Sequence, residues 1–286
     1  MISDITLGQF FPGFSPLHKL DPRTKILLAI LFIVGVFLAN STLSFVLLIL
    51  ITVFMMLVSR ISVRVILKGL KPLFFILIFT SLINIFLTDG EGAPLLSWWI
   101  IEIYKEGIIR AVFMSLRVII LVIGTSLLLT YTTSPISLTD GIESLLKPLS
   151  MIGIPVHIFA MMMTIALRFI PTLVEETEKI VNAQKSRGAN FSSGGLIKRA
   201  KSLIPLLVPL FVSAFKRADE LATAMECRCY RGDKNRTKMV KLTFRFRDFL
   251  FLFFSLVFFA AIICLRIFID KIVFEGIVFE ILLYVI

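Results

Sequence analysis

Long apolar runs with little internal charge constrain this chain more than any other feature. They fall at about residues 24–39, 42–58, 72–87, 107–131 and 249–269. Each approaches or exceeds the ~20 residues that a helix needs to cross the hydrocarbon core, once flanking residues are counted. With 58% hydrophobic residues and a mean hydropathy of +0.97, the chain is too apolar for an ordinary soluble domain. The expected fold is an all-α integral membrane protein of about five transmembrane helices plus a cytoplasmic domain of long amphipathic helices.

Charge orders these runs. The net charge is +11, and residues 132–247 hold more than half of the 30 Lys and Arg but fewer than half of the 19 Asp and Glu. Positive charge on membrane proteins collects on the cytoplasmic side, where it faces anionic lipid. Arg60, Arg64 and Lys68 follow at helical spacing with Lys71 just beyond, whereas the connection at 88–106 sets Asp89, Glu91, Glu102 and Glu106 against Lys105 alone. The expected topology at the plasma membrane therefore keeps the N-terminus, 59–71 and 132–247 inside. It puts 40–41, 88–106 and the tail with Asp270, Glu275 and Glu280 outside. Three parts result: residues 1–131 with four spans, 132–247 as a cytoplasmic domain, and 248–286 as a last span and tail. Arg117 is expected to face other helices and Arg110 to reach the outer surface, because a charge at the bilayer centre is costly. Two shorter apolar stretches, Val156 to Ile170 and Leu203 to Phe215, read as the membrane-side portions of the cytoplasmic helices.

The N-terminal lead-in is turn-rich. Asp21-Pro22 marks a helix start, the carboxylate capping free N–H groups and proline having none to leave unpaired. Arg23 and Lys25 then fall at the membrane face, within reach of lipid phosphates. No basic n-region or short apolar run opens the sequence, so no cleaved signal peptide is expected. Cys227, Cys229 and Cys264 form no disulfide framework and are expected as thiols.

Within the basic region two helical arms stand out. In the first, Ile170, Val174, Thr177, Val181 and Gln184 recur every three or four residues, and the arm closes on Ser186-Arg187-Gly188. The second carries an unbroken stripe of Ile204, Val208, Phe211, Phe215, Ala218, Ala222 and Met225 and closes on Cys227-Arg228-Cys229. Small residues at Ala214, Ala218 and Ala222 would let the first arm pack closely. Both arginines are expected in the last turn of their helices, where the dipole favours a cation. An arginine there presents a rigid fork of donors that can clamp carboxylates or carbonyls in a protein groove. Two such devices suit a partner with two similar sites.

Other chemistries fit less well. There is no Gly-x-x-x-x-Gly-Lys-Ser/Thr stretch, so ATP would be handled by another chain. Glu175-Glu176 invites comparison with an intramembrane protease, but His18 and His157 lack metal-ligand spacing, and no cofactor or metal is implied. Cys227 and Cys229 would need two further ligands to hold a metal. A stand-alone secondary transporter would need polar groups near the midplane of broken spans, and little beyond Arg117, Thr125 and Ser126 is present. Nucleic-acid binding is disfavoured because the basic segment lacks interleaved aromatic residues.

Four stretches together carry a family resemblance: residues 8–25 (Gly8 to Lys25), Ala166 to Pro171, Ala183 to Ala189, and Leu221 to Gly232. In order and spacing they resemble the transmembrane T component of energy-coupling factor (ECF) transporters, the EcfT/CbiQ family. The resemblance implies that Ser186-Arg187-Gly188 and Cys227-Arg228-Cys229 are coupling motifs, each docking in one of two ABC-type ATPase subunits (A and A'). It also implies a membrane S component that captures a vitamin or metal ion. The chain departs from the family pattern in having Cys227 and Cys229 where alanine and glycine are usual. Cysteine enters the left-handed conformation less readily than glycine, so the exact ending of the second arm is left open.

Overall fold

The computed structural model describes residues 10–88, 96–98, 101–189, 195–230, 232 and 242–285, with no side chains described at 96–98, 101–102, 196–200, 202 and 269–285. The chain divides into two compact units.

The larger unit holds residues 10–134 and 242–286. Helices α1 (Pro22–Leu38) and α2 (Thr42–Ser59) form the expected hairpin. Asp21 caps α1 by accepting the Arg23 N–H at 2.9 Å, and Ser41 caps α2 by accepting the Leu43 N–H at 3.2 Å. The short α3 (Val63–Leu70) leads through a 3₁₀ turn at Lys71–Leu73 into α4 (Phe74–Leu87). Strands β1 (Leu96–Trp98) and β2 (Ile101–Ile103) pair antiparallel with Ser97 opposite Glu102, a small hairpin that no sequence signal announced. Helix α5 (Lys105–Thr125) continues as a π-helical turn, Ser126–Thr130, and α9 (Phe246–Val285) closes the unit.

Helix α1 lies at the centre, packed against α5 and α9. Leu28, Phe32 and Val36 of α1 meet Leu48, Ile120, Leu128 and Ile262 in one core. Gly124 allows this approach: a Cβ there would overlap the Phe32 ring. Gly107 does the same for α4, since its Cβ would sit 3.1 Å from the Asn84 carbonyl.

The lead-in folds back onto this core. The His18 ring donates from Nε2 to the Phe11 carbonyl at 2.9 Å and takes the Ser15 hydroxyl on Nδ1 at 2.6 Å. Asp248, buried, accepts the Asp21 and Arg245 N–H groups at 2.8 and 2.7 Å. Arg23 and Lys25 do not lie open to lipid phosphates as expected. Arg23 stacks over Phe244 at 5.3 Å, and Lys25, 2% exposed, donates to the Thr132 carbonyl at 2.7 Å and the His18 carbonyl at 3.4 Å. The helix end left by the π turn supplies carbonyls that need a donor, and the lysine supplies it. Arg117 does face other helices, donating to the Ala39 carbonyl at 2.7 Å and to Asn40 at 3.2 Å, while Arg110 is exposed.

The smaller unit, residues 1–9 and 135–241, is described from Pro135 onward. Helix α6 (Pro135–Leu146) runs through a 3₁₀ stretch, Lys147–Ile152, to α7 (Val156–Ser186), and α8 (Leu196–Cys227) packs on α7. His157 pairs with Glu143 at 2.8 Å.

Among the described residues five helices are long and apolar enough to cross a membrane: Thr42–Ser59, Val63–Leu87, Lys105–Thr130, Val156–Ser186 and Phe246–Phe268. The fold is that of an all-α membrane protein apart from its one small hairpin. The set of long helices differs from the expected one in two members. Helix α1 has 17 residues and is shorter than these, and the stretch from Val156, expected as the membrane-side part of the first arm, joins because α7 runs on to 31 residues.

Candidate coupling site

Helices α7 and α8 are long because nothing within them is strong enough to break them. Pro171 in α7 and Pro205 and Pro209 in α8 each delete one backbone donor, yet both helices continue past them. At about 1.5 Å per residue each arm is roughly 46–48 Å long.

The two arms end in the same way. In α7 the Gly188 N–H donates to the Lys185 carbonyl at 2.9 Å, and the Ala189 N–H to the Gln184 carbonyl at 3.0 Å. In α8 the Cys229 N–H donates to Glu226 at 2.8 Å, and the Tyr230 N–H to Met225 at 3.0 Å. Each pair is the double hydrogen bond of a Schellman ending, which satisfies carbonyls the helix would otherwise leave open. Such an ending needs one residue with positive φ: Gly188 at 85° in the first arm and Cys229 at 57° in the second. The second ending, which the sequence left open, thus matches the first, because two hydrogen bonds hold cysteine in a conformation that costs it about 1–2 kcal/mol.

Arg187 and Arg228 occupy equivalent places, each the C-cap residue, one position beyond the last helical turn in which they were expected. Both are exposed, as are Ser186, Gly188, Cys227 and Cys229. Neither guanidinium makes a hydrogen bond or ion pair within the described residues. Two cations are therefore held at the negative ends of two helix dipoles, with their donors free for another molecule. No hydrogen bond or ion pair among the described residues joins one tip motif to the other.

Further back a polar clamp joins the arms. Glu176 of α7 accepts from Arg217 of α8 at 2.7 Å and from the Ser213 hydroxyl. Glu176 precedes Arg187 by the same number of residues as Arg217 precedes Arg228, so both tips extend about 16 Å beyond the clamp. Residue type alone does not single out Glu176 from its neighbour Glu175, and the clamp was not expected. The usable signal is the spacing: Glu176 and Arg217 are separated by 41 residues, as the two tip arginines are.

Packing of the second arm departs from expectation. Ala214 is half-buried, but Ala218 and Ala222 are exposed, and so is most of their stripe, Phe211 at 61% and Phe215 at 73%. The less exposed face runs through Leu206, Leu210, Ser213, Arg217 and Leu221. The face of α8 turned inward thus combines three leucines with the Glu176–Arg217 pair rather than the small residues, and the apolar stripe is left outward.

Fold and site together define a class: a multi-pass all-α membrane protein whose second unit presents a pair of clamped helical arms with matching cationic ends. Comparison with known proteins agrees. A family model described as cobalt transport protein, CbiQ, matches residues 13–239. The chain is 56% identical over 250 residues to the energy-coupling factor transporter transmembrane protein EcfT of Clostridium kluyveri, covering 87% of this chain and 92% of that one. With the protein of the same description from Ruminiclostridium cellulolyticum it shares 57% identity over 244 residues, 85% of this chain and 90% of that one. With that from Bacillus subtilis it shares 47% over 248 residues, 87% of this chain and 93% of that one. The chain belongs to the EcfT/CbiQ family of transporter transmembrane components.

Proposed function

We propose that this chain is the coupling subunit of an ECF-type importer. Its two arms carry ATP-driven movement from two ABC-type ATPase subunits to a membrane S component that captures a vitamin or a transition-metal ion. Arg187, flanked by Ser186 and Gly188, docks in one ATPase, and Arg228, flanked by Cys227 and Cys229, docks in the other. Residues 132–247 form the cytoplasmic coupling domain, the N-terminus lies on the same side, and ATP hydrolysis belongs to the partners. Ala218 and Ala222, with the half-buried Ala214 at their edge, offer a face of α8 to a partner subunit together with Phe211 and Phe215.

The observation that carries this reading is the equivalence of the two ends. Two arginines occupy the same capping position, on the same hydrogen-bond frame, at the same reach beyond one clamp. A rigid helix transmits displacement along its axis, and a cap that fixes the last turn keeps the arginine from fraying away from its groove. Removing one member of a docked, hydrogen-bonded charge pair costs roughly 2–5 kcal/mol, enough to empty a micromolar site. The double variant R187A/R228A should remain in the membrane, lose ATPase subunits during purification and lose ATP-driven uptake. Uptake at the level of the unaltered protein would refute the assignment.

A further inference from the structure

The basic row after α2 has no part in the coupling site. Arg64, Lys68 and Lys71 recur every three or four residues along α3 and the following turn, and all three are exposed. Arg60, also exposed, ends α2 just before them. None of these side chains pairs with a carboxylate among the described residues.

Beside this row a groove of about 770 Å³ opens between α3–α4 and α5. Its walls are mainly leucine, isoleucine and phenylalanine side chains of α3–α4 with Ile119 of α5, Ser81 and Ser115 also line it, and Lys71 stands at the end next to the basic row. From residue 67 to residue 81 the groove follows the chain for roughly 21 Å at helical rise, somewhat more than half the ~30 Å hydrocarbon thickness of a bilayer. Ile66 is buried, but Leu67 and Phe74 along the groove are exposed, so the groove opens on the outer surface of an apolar span.

We propose that this groove is a binding site for an anionic phospholipid. One acyl chain lies along Leu70, Phe74 and Leu77, and the headgroup phosphate is held by Lys71 with Lys68 and Arg64. The distribution of charge favours a lipid over a protein partner: cations gather at the headgroup end only, and the remaining walls carry no charge and are apolar except for Ser81 and Ser115. Basic pockets between spanning helices bind acidic headgroups through the same combination. Free phosphate would engage the basic row but has no use for the groove. The concentration of positive charge puts this leaflet on the cytoplasmic side.

The test is native mass spectrometry of the full-length chain in detergent. It is titrated with dioleoyl-phosphatidylglycerol, with dioleoyl-phosphatidylcholine and with inorganic phosphate. Phosphatidylglycerol should be retained in preference to phosphatidylcholine, and the preference should shrink as ionic strength rises. The exposed-surface variant R64Q/K68Q/K71Q should lower phosphatidylglycerol retention by about fivefold for each charge removed, and retention of phosphatidylcholine, whose phosphate is offset by its own ammonium, by less. Leu77→Trp, which fills the groove and leaves the cations in place, should lower retention of both lipids. Unchanged melting temperatures would establish that both variants fold. Equal retention of the two lipids by the unaltered chain, or full competition by phosphate, would overturn the proposal. So would a charge variant that keeps its lipid but loses a co-purifying acidic protein.

Discussion

Cysteine at position 229 adopts a backbone conformation that glycine occupies at the matching place in the first arm, and Cys229→Gly tests whether that ending matters. With φ at 57°, Cys229 carries a penalty of about 1–2 kcal/mol that glycine lacks. Glycine also loosens the unfolded chain, which takes back about 0.4–1 kcal/mol. The net gain is about 0.5–1 kcal/mol, a two- to fivefold drop in the frayed population of the arm's last turn. That population is read by hydrogen exchange at the two amides that make the ending, Cys229 to Glu226 and Tyr230 to Met225. In Cys229→Gly both should exchange two- to fivefold more slowly. In the converse change, Gly188→Ala, the amides of residues 188 and 189 should exchange faster, while ATP-driven uptake falls because Arg187 loses its fixed cap. Unchanged exchange at all four amides would refute the view that the left-handed residue holds the arginine in place.

The clamp and the buried lysine give two further expectations. Arg217→Glu should drive the arms apart by setting a carboxylate against Glu176. With Cys229 and Cys264 replaced by serine, spin labels at residues 186 and 227 would show a broadened distance distribution. The exchanged pair E176R/R217E should narrow it again, and an unaltered distribution in the single variant would remove the clamp's role. Lys25→Met should strand the Thr132 and His18 carbonyls and lower stability by about 2 kcal/mol or more, seen as a lower melting temperature in detergent. No shift in that temperature would show that the carbonyls find other donors.

Local features are legible in the order of the residues. The Asp21 cap on α1 is a hydrogen bond across two residues, and the end of each arm is written within six. Interactions so short in sequence depend on residue type and order alone, so Asp-Pro and Arg-Gly can be read directly. The apolar runs are legible because a bilayer imposes one length and one composition on any helix crossing it. The stretch from Val156 was less legible, because Val156 to Ile170 falls short of a span by itself and only the continuous helix α7 supplies the remaining length.

Sequence alone therefore determined the helical membrane character of this protein, the place of its arms and the two arginines at their ends. Tertiary structure decided which faces met. Lys25 finds Thr132 across 107 positions and Glu176 finds Arg217 across 41, and no periodicity specifies a partner at such a distance. The face of α8 that carries Arg217 with Leu206, Leu210 and Leu221 is the less exposed one, so Ala218 and Ala222 lie outward although their spacing suited an interface. A helix with more than one candidate face takes its orientation from the neighbour it packs against, and that neighbour exists only once the chain has folded.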